Sequence, residues 1–221
     1  MTAQACRREE PRGPVPHTEF HAGGSLTPGA IIQWALARAA NPVVSTNFRP
    51  RTAVLLHMLS STRPGIPVIW VDSGYNTDAT YRFVERLSTL LALNLHVYTP
   101  RVTVARRRAL HGDLPPLDTP AHAAFTREVK LEPFERAFRE LQPDVWFTGI
   151  RADQGEFRRS LGVASKGVQG SLKVAPLYHW TDVDLENYLY EHALPDNPEY
   201  LDPTKGREDR ECGLQFLGSG I

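Results

Sequence analysis

Hydrophobic positions along the chain switch between helical and extended spacing. Behind Thr27-Pro28, a capping residue followed by proline at the first helical position, Ile31, Ile32, Ala35, Leu36 and Ala39 recur at helical intervals until Asn41-Pro42 stops the run. Val43 to Thr46 reads as a short strand, and Val54, Leu55, Met58 and Leu59 mark a buried helix between about Pro50 and Ser61. Pro67-Val68-Ile69-Trp70-Val71 is β-prone and closed by Asp-Ser-Gly; Tyr81, Val84, Leu87, Leu90 and Leu91 then share one side of a helix over 77–91. Leu95 and Val97 alternate with polar neighbours as a third strand. A basic helix is expected over 102–110, a proline-rich loop over 111–120, and helix over 121–141 interrupted near Pro133. Asp144 to Thr148 reads as a fourth strand, 150–170 as a loop rich in Gly, Arg and Ser, and Ser171 to Val174 as a last strand. Thr181-x-x-Asp184 opens a final helix as a capping box.

This order of strand, helix, strand implies right-handed parallel crossovers and a doubly wound, mostly parallel α/β sheet in a single domain. In such sheets the ligand lies outside the carboxyl ends of the strands, so the loops at 45–51, 72–76, 98–101 and 149–159 are expected to converge. Residues 1–26 lack apolar periodicity and read as a loose tail, 27–194 as the α/β domain, and 195–221 as an irregular, flexible C-terminal arm.

Composition narrows the classes. Among 221 residues, 25 Lys plus Arg balance 25 Asp plus Glu, which argues against a face that coats nucleic acid or anionic membrane. Cys6 and Cys212 alone support neither a disulfide framework nor a four-cysteine metal site. No stretch has the length and apolarity of a membrane span or signal peptide, so a cytoplasmic protein is expected, and its oligomeric state, homo-oligomer included, stays open.

Several segments carry chemistry. Ser45-Thr46-Asn47-Phe48 joins a strand to a helix, where free N–H groups and the helix dipole favour an anion, although plain helix capping explains the pattern equally well. Asp72-Ser73-Gly74-Tyr75 ends the second strand, either as a turn or as a contact for a base or ribose. Gly149, Arg151, Gln154, Arg158 and Arg159 follow the fourth strand, and guanidinium forks suit phosphate or sulfate oxygens. Lys130, Lys173, Arg207 and Arg210 are candidates for the same crevice. Cys212 is flanked by charge and glycine, so nearby Arg207 and Arg210 favour its thiolate, a nucleophile; Cys6 reads as incidental. The eight histidines show no metal-ligand spacing.

Taken in order, these motifs resemble the phosphoadenosine phosphosulfate (PAPS) reductase family. The likeness rests on Ser45, Thr46, Phe48 and Ala53 to His57, Asp72 to Tyr75 with Thr80 to Phe83, Lys130 to Pro133, Gly149-Ile150-Arg151 with Gln154 and Arg158, Lys173-Val174-x-Pro176 with Trp180, and Glu211-Cys212-Gly213-Leu214. It implies an adenine nucleotide alpha hydrolase-like fold and a Cys212 thiolate that takes the sulfonate from the nucleotide as an S-sulfocysteine. An external dithiol, thioredoxin or glutaredoxin, is then implied for the release of sulfite, with no bound cofactor. Relatives that use adenosine phosphosulfate (APS) carry a cysteine pair where Phe125-Thr126 stand and a later Cys-x-x-Cys for an iron–sulfur cluster; two cysteines cannot supply one.

The chain departs from the family pattern at Gln215, which replaces a histidine, at Arg49, which replaces a glycine, and in a shortened segment between Tyr200 and Cys212. Alternatives are APS reduction without a cluster, an ATP-pyrophosphatase-type adenylating or sulfur-transfer enzyme, and a non-catalytic nucleotide-binding relative. The first loop lacks the Ser-Gly-Gly-x-Asp-Ser pattern of the adenylating group, and retention of Cys212 speaks against the binding protein.

Overall fold

A computed structural model describes residues 27–205. The predicted tail over 1–26, Cys6, Arg207, Arg210, Cys212, Gln215 and the rest of the arm beyond 205 lie outside the described residues. The fold is a six-stranded α/β sandwich with strand order β3-β2-β1-β4-β6-β5, all parallel except β5. The strands are β1 (Pro42–Thr46), β2 (Pro67–Val71), β3 (Asn94–Tyr98), β4 (Val145–Phe147), β5 (Ala164–Lys166) and β6 (Leu172–Val174).

The chain steps outward from β1 to β2 and β3, then returns to place β4 on the other side of β1. Strand order therefore reverses between β1 and β4, where neighbouring loops diverge and leave a crevice. Register there is set by Val43 opposite Trp146 and Val44 opposite Phe147. The carboxylate of Asp144 fixes the far end of the same pair, accepting from Ala40 N at 2.6 Å and Asn41 N at 2.9 Å.

Alternation along these strands divides the core. Val44, Val68, Trp70, Val145 and Phe147 face α1 (Pro28–Leu36), α2 (Thr52–Thr62), α3 (Asp78–Leu90) and α8 (Asp182–Glu191). Val43, Ile69 and Trp146 face the opposite way, toward Phe134 and Phe138 of α6 (Glu132–Leu141). Each side chain so buried contributes about 1.5–3 kcal/mol by leaving water.

Two segments refine the sequence expectations. The region over 121–141 runs as α5 (Pro120–Thr126), a π turn (Arg127–Leu131) and α6, after the short basic helix α4 (Val104–His111). Pro133 has no N–H, and in a regular helix its ring would crowd the carbonyl of Val129; the wider π turn lies immediately before it. The region over 150–170, expected as loop, holds two 3-10 turns, a four-residue helix α7 (Glu156–Arg159) and β5. β5 pairs antiparallel with β6 through only Ala164, Ser165 and Lys166, too short and too polar a run to register as a strand. Its return depends on Gly167, where a Cβ would stand 2.6 Å from Ser171 Oγ and 3.2 Å from Lys173 Cβ.

Candidate active site

A cavity of about 370 Å³ opens at the carboxyl ends of β1, β2 and β4. Of the expected residues, Ser45, Thr46, Asn47, Ser73, Lys130, Gly149, Arg151, Gln154 and Arg158 line it. Phe48, Asp72, Gly74 and Tyr75 do not, and each is engaged elsewhere. Phe48 is fully buried in the left-handed region (φ 54°), edge-on to Trp70 and Phe83. Asp72 Oδ1 accepts from Gly74 N, Asn76 Nδ2 and the Tyr81 hydroxyl, so it organises the turn. Burial and that carboxylate push the Tyr81 phenol up to about 12. Gly74 (φ 78°) lies against Val104 of α4, where a Cβ would meet Cγ2 at 2.6 Å, and Tyr75 packs edge-on to Phe125.

The loop after β1 is built from its own hydroxyls and amides. Thr46 Oγ1 accepts from Phe48 N and shares a 2.7 Å hydrogen bond with Thr52 Oγ1, while Asn47 Oδ1 accepts from Arg49 N. Arg51, also left-handed (φ 64°), precedes α2 and gives the helix no side-chain cap. Its backbone N–H instead donates to Asp196 Oδ1 at 2.6 Å.

Arg151 is buried and already committed. Its guanidinium donates to Trp180 O and Asp182 Oδ1 and pairs with Asp153, so it ties the loop after β4 to the start of α8. Arg158 donates to Gln154 Oε1.

Lys173 on β6 is different. It is 5% exposed, lines the cavity, and holds Nζ 4.9 Å from the centre of the Trp146 ring. Trp146 donates from Nε1 to Ser45 Oγ at 2.8 Å, linking this cation to the loop after β1. Among the described residues no carboxylate forms an ion pair with Lys173. Burial, with Arg158 nearby, pulls its ammonium down to about 8. Thr148 adds a buried hydroxyl with no hydrogen-bond partner among the described residues. Two crowded cations and a spare hydroxyl form an environment that an oxyanion would stabilise.

Local sequence patterns did not reveal Arg51, Thr148, Tyr200, Asp202 or Asp182 as lining residues. Asp182 follows the capping residue of α8, and Tyr200 and Asp202 lie on the chain beyond it, so only the fold brings Asp182 and Tyr200 to the loop after β1 and Asp202 to Lys130. Thr148 carried one local signal, its place between strand and Gly149.

Residues 41–202 match the phosphoadenosine phosphosulfate reductase domain family. The chain is 37% identical over 169 residues to phosphoadenosine 5′-phosphosulfate reductase of Photobacterium profundum, covering 76% of this chain and 66% of that protein. Identity to the enzyme of the same name from Xylella fastidiosa is 35% over 206 residues, 83% of this chain and 86% of the relative. Among solved structures, the phosphate complex of phosphoadenylyl-sulfate reductase from Candida auris superposes with a TM-score of 0.67 at 27% identity, covering 77% of this chain and 82% of the other.

Proposed function

The chain belongs to the phosphoadenosine phosphosulfate reductase family, and from that membership we propose that it reduces 3′-phosphoadenylyl sulfate to sulfite and adenosine 3′,5′-bisphosphate with Cys212 as nucleophile. The observation that carries the reading is Lys173, buried beside Arg158 in the cavity at the sheet's reversal point, with no carboxylate ion-paired to Lys173 among the described residues.

The Cys212 thiolate attacks the sulfonate sulfur. An Sγ–S bond forms, the bond from sulfur to the bridging phosphate oxygen breaks, and adenosine 3′,5′-bisphosphate leaves with that electron pair. Lys173, Arg158 and Lys130 suit the developing charge on the leaving phosphate and the sulfonate oxygens, and the wall formed by Trp70, Leu55 and Leu56 suits a nucleoside. A thiolate of an external dithiol, thioredoxin or glutaredoxin, then attacks Sγ and expels sulfite, and its second thiol resolves the mixed disulfide and regenerates Cys212. The dithiol loses two electrons as sulfur passes from the sulfate to the sulfite level. No iron–sulfur cluster takes part, and a cytoplasmic setting would keep Cys212 and its donor reduced.

Intact-protein mass spectrometry after incubation with PAPS and, separately, APS tests this reading. The expected result is a gain of one sulfonate from PAPS that reduced thioredoxin removes as sulfite. Nucleotide binding without adduct or sulfite would make the chain a binding relative.

A further inference from the structure

Residues 196–205 contribute Tyr200, Asp202 and Lys205 to the cavity lining and are fastened to three elements of the site. Asp196 takes the N–H of Arg51, and buried Asn197 donates from Nδ2 to Phe48 O at 2.8 Å and Thr80 Oγ1 at 3.2 Å. The Tyr200 hydroxyl accepts from Asn47 Nδ2 at 3.2 Å. Finally, Asp202 Oδ2 lies 2.7 Å from Nζ of Lys130 on the π turn. The partners are 72 residues apart, and their side chains are only 10% (Lys130) and 14% (Asp202) exposed.

Both oxygens of Asp202 are in use. Oδ2 takes Lys130, and Oδ1 accepts from the Thr204 hydroxyl at 2.5 Å and Thr204 N at 3.2 Å. Lys130, Tyr200, Asp202 and Lys205 all line the same cavity. A nucleotide phosphate or sulfonate that reaches Lys130 therefore meets an ammonium already neutralised by a carboxylate of the chain. Two anions facing one buried ammonium repel each other in a medium of low dielectric, so one must withdraw. Asp202 is the anion that can withdraw, because Asp196 and Asn197 hold the preceding chain independently of it.

We infer that Asp202 is a built-in counter-anion of Lys130, displaced when the nucleotide's anionic group takes the ammonium, so that occupancy of the crevice and the position of residues 200–205 are linked. The inference rests on the nucleotide reading above. Asp202 acts through Lys130 and is a positioning residue. Its presence lowers affinity for the anion, and its displacement moves the chain segment that continues toward Cys212, ten positions further along the sequence.

Calorimetric titration of the full chain with adenosine 3′,5′-bisphosphate tests it, with thermal melting as the check on folding. Asp202→Asn is expected to bind about five- to tenfold more tightly than the parent, with a steeper salt dependence, because Lys130 keeps its full charge. Asp202→Glu should restore parental affinity, and in a Lys130→Met background Asp202→Asn should change affinity less than about twofold. Equal or weaker binding by Asp202→Asn, or the same tightening without Lys130, would overturn the inference. Hydrogen exchange on the unmodified chain supplies a second measurement that needs no variant. The nucleotide should speed exchange at the Thr204 and Lys205 amides, and unchanged or slower exchange there would overturn the displacement. Sulfite release from PAPS by the parent is scored separately: its failure would sink the reductase reading, whereas normal release with an unaltered Asp202→Asn titration would sink only this one.

Discussion

Arg51 and Arg151 meet on a single carboxylate oxygen: Asp182 Oδ1 lies 3.2 Å from Arg51 Nη1 and 2.5 Å from Arg151 Nη2. One arginine comes from the loop after β1 and the other from the loop after β4, so the contact clamps the two sides of the sheet's reversal point to α8. Glu186, one turn further along α8, takes Arg51 Nη2 at 2.5 Å. The hydrogen bond to Glu186 leads the contacts that hold the Arg51 guanidinium above its ordinary range, with Asp182 adding to it. Arg51 and Arg151 thus orient the crevice that Lys173 and Arg158 also line.

Asp182→Asn keeps the shape of that junction and removes its charge. The expected outcome is a rise of about tenfold in KM for PAPS with a smaller change in kcat, since both loops lose their common anchor. Asp182 is half exposed, so the stability cost should be only about 1–2 kcal/mol despite the burial of Arg151. Sulfite-release kinetics and thermal melting measure the two effects; an unchanged KM would remove Asp182 from the positioning of these loops.

Asn197 predicts a larger loss of stability. Its amide holds the carbonyl of Phe48, a fully buried residue in a left-handed conformation, and reaches Thr80 at the start of α3. Asn197→Ala leaves that carbonyl buried without its donor, at a cost of about 2–3 kcal/mol. In a chain of this size the melting temperature should fall by about 4–12 °C. Asn197→Asp should be worse, because a carboxylate would face the carbonyl. A melting point unchanged in both variants would show that the loop holds its shape without this contact.

Sequence patterns conveyed the central frame because β1, β2 and the helices beside them owe their form to local periodicity: Pro67–Val71 is both the expected and the observed strand. They did not convey β5, whose three residues carry no alternation and depend on pairing with β6. The site divides in the same way. Ser45, Thr46 and Asn47 were legible because a strand-to-helix junction exposes backbone donors wherever it occurs. Asp182, Tyr200 and Asp202 were not, since their roles come from contacts across the fold to Arg51, Asn47 and Lys130. Arg151 was legible as a cation at the right strand end, but its carboxylate partners were not, and they turn it from a free anion contact into a clamp.

Lys173 predicts opposite pH trends for stability and binding. Its ammonium titrates at about 8 in the folded chain, against 10.5 ordinarily, with burial the larger cause and Arg158 the second. Between those values the unfolded chain holds more protons, so this group makes stability rise as pH climbs from about 8 toward 10.5. Anion binding needs the protonated form, so affinity for adenosine 3′,5′-bisphosphate should fall above pH 8, by up to about tenfold per pH unit. Lys173→Met should bind weakly at neutral pH and lose this trend. Titrations from pH 7 to 9.5 decide the matter, and an identical slope in the variant would assign the dependence to another group.

The two cysteines separate the reductase from a binding protein most directly. Cys212 stands in Glu-Cys-Gly-Leu between arginines and glycine, whereas Cys6 has no comparable sequence neighbours. Cys212→Ser replaces a thiolate with a hydroxyl that stays protonated at neutral pH, so both the sulfonate adduct and sulfite release from PAPS should disappear. The affinity of this variant for adenosine 3′,5′-bisphosphate should stay within about twofold of the parent, because the cations of the crevice remain. Cys6→Ser should retain adduct, turnover and affinity together. Loss of turnover with a persisting adduct in Cys6→Ser would give the first cysteine a part in the thiol exchange that releases sulfite, while an adduct persisting in Cys212→Ser would displace Cys212 as the nucleophile.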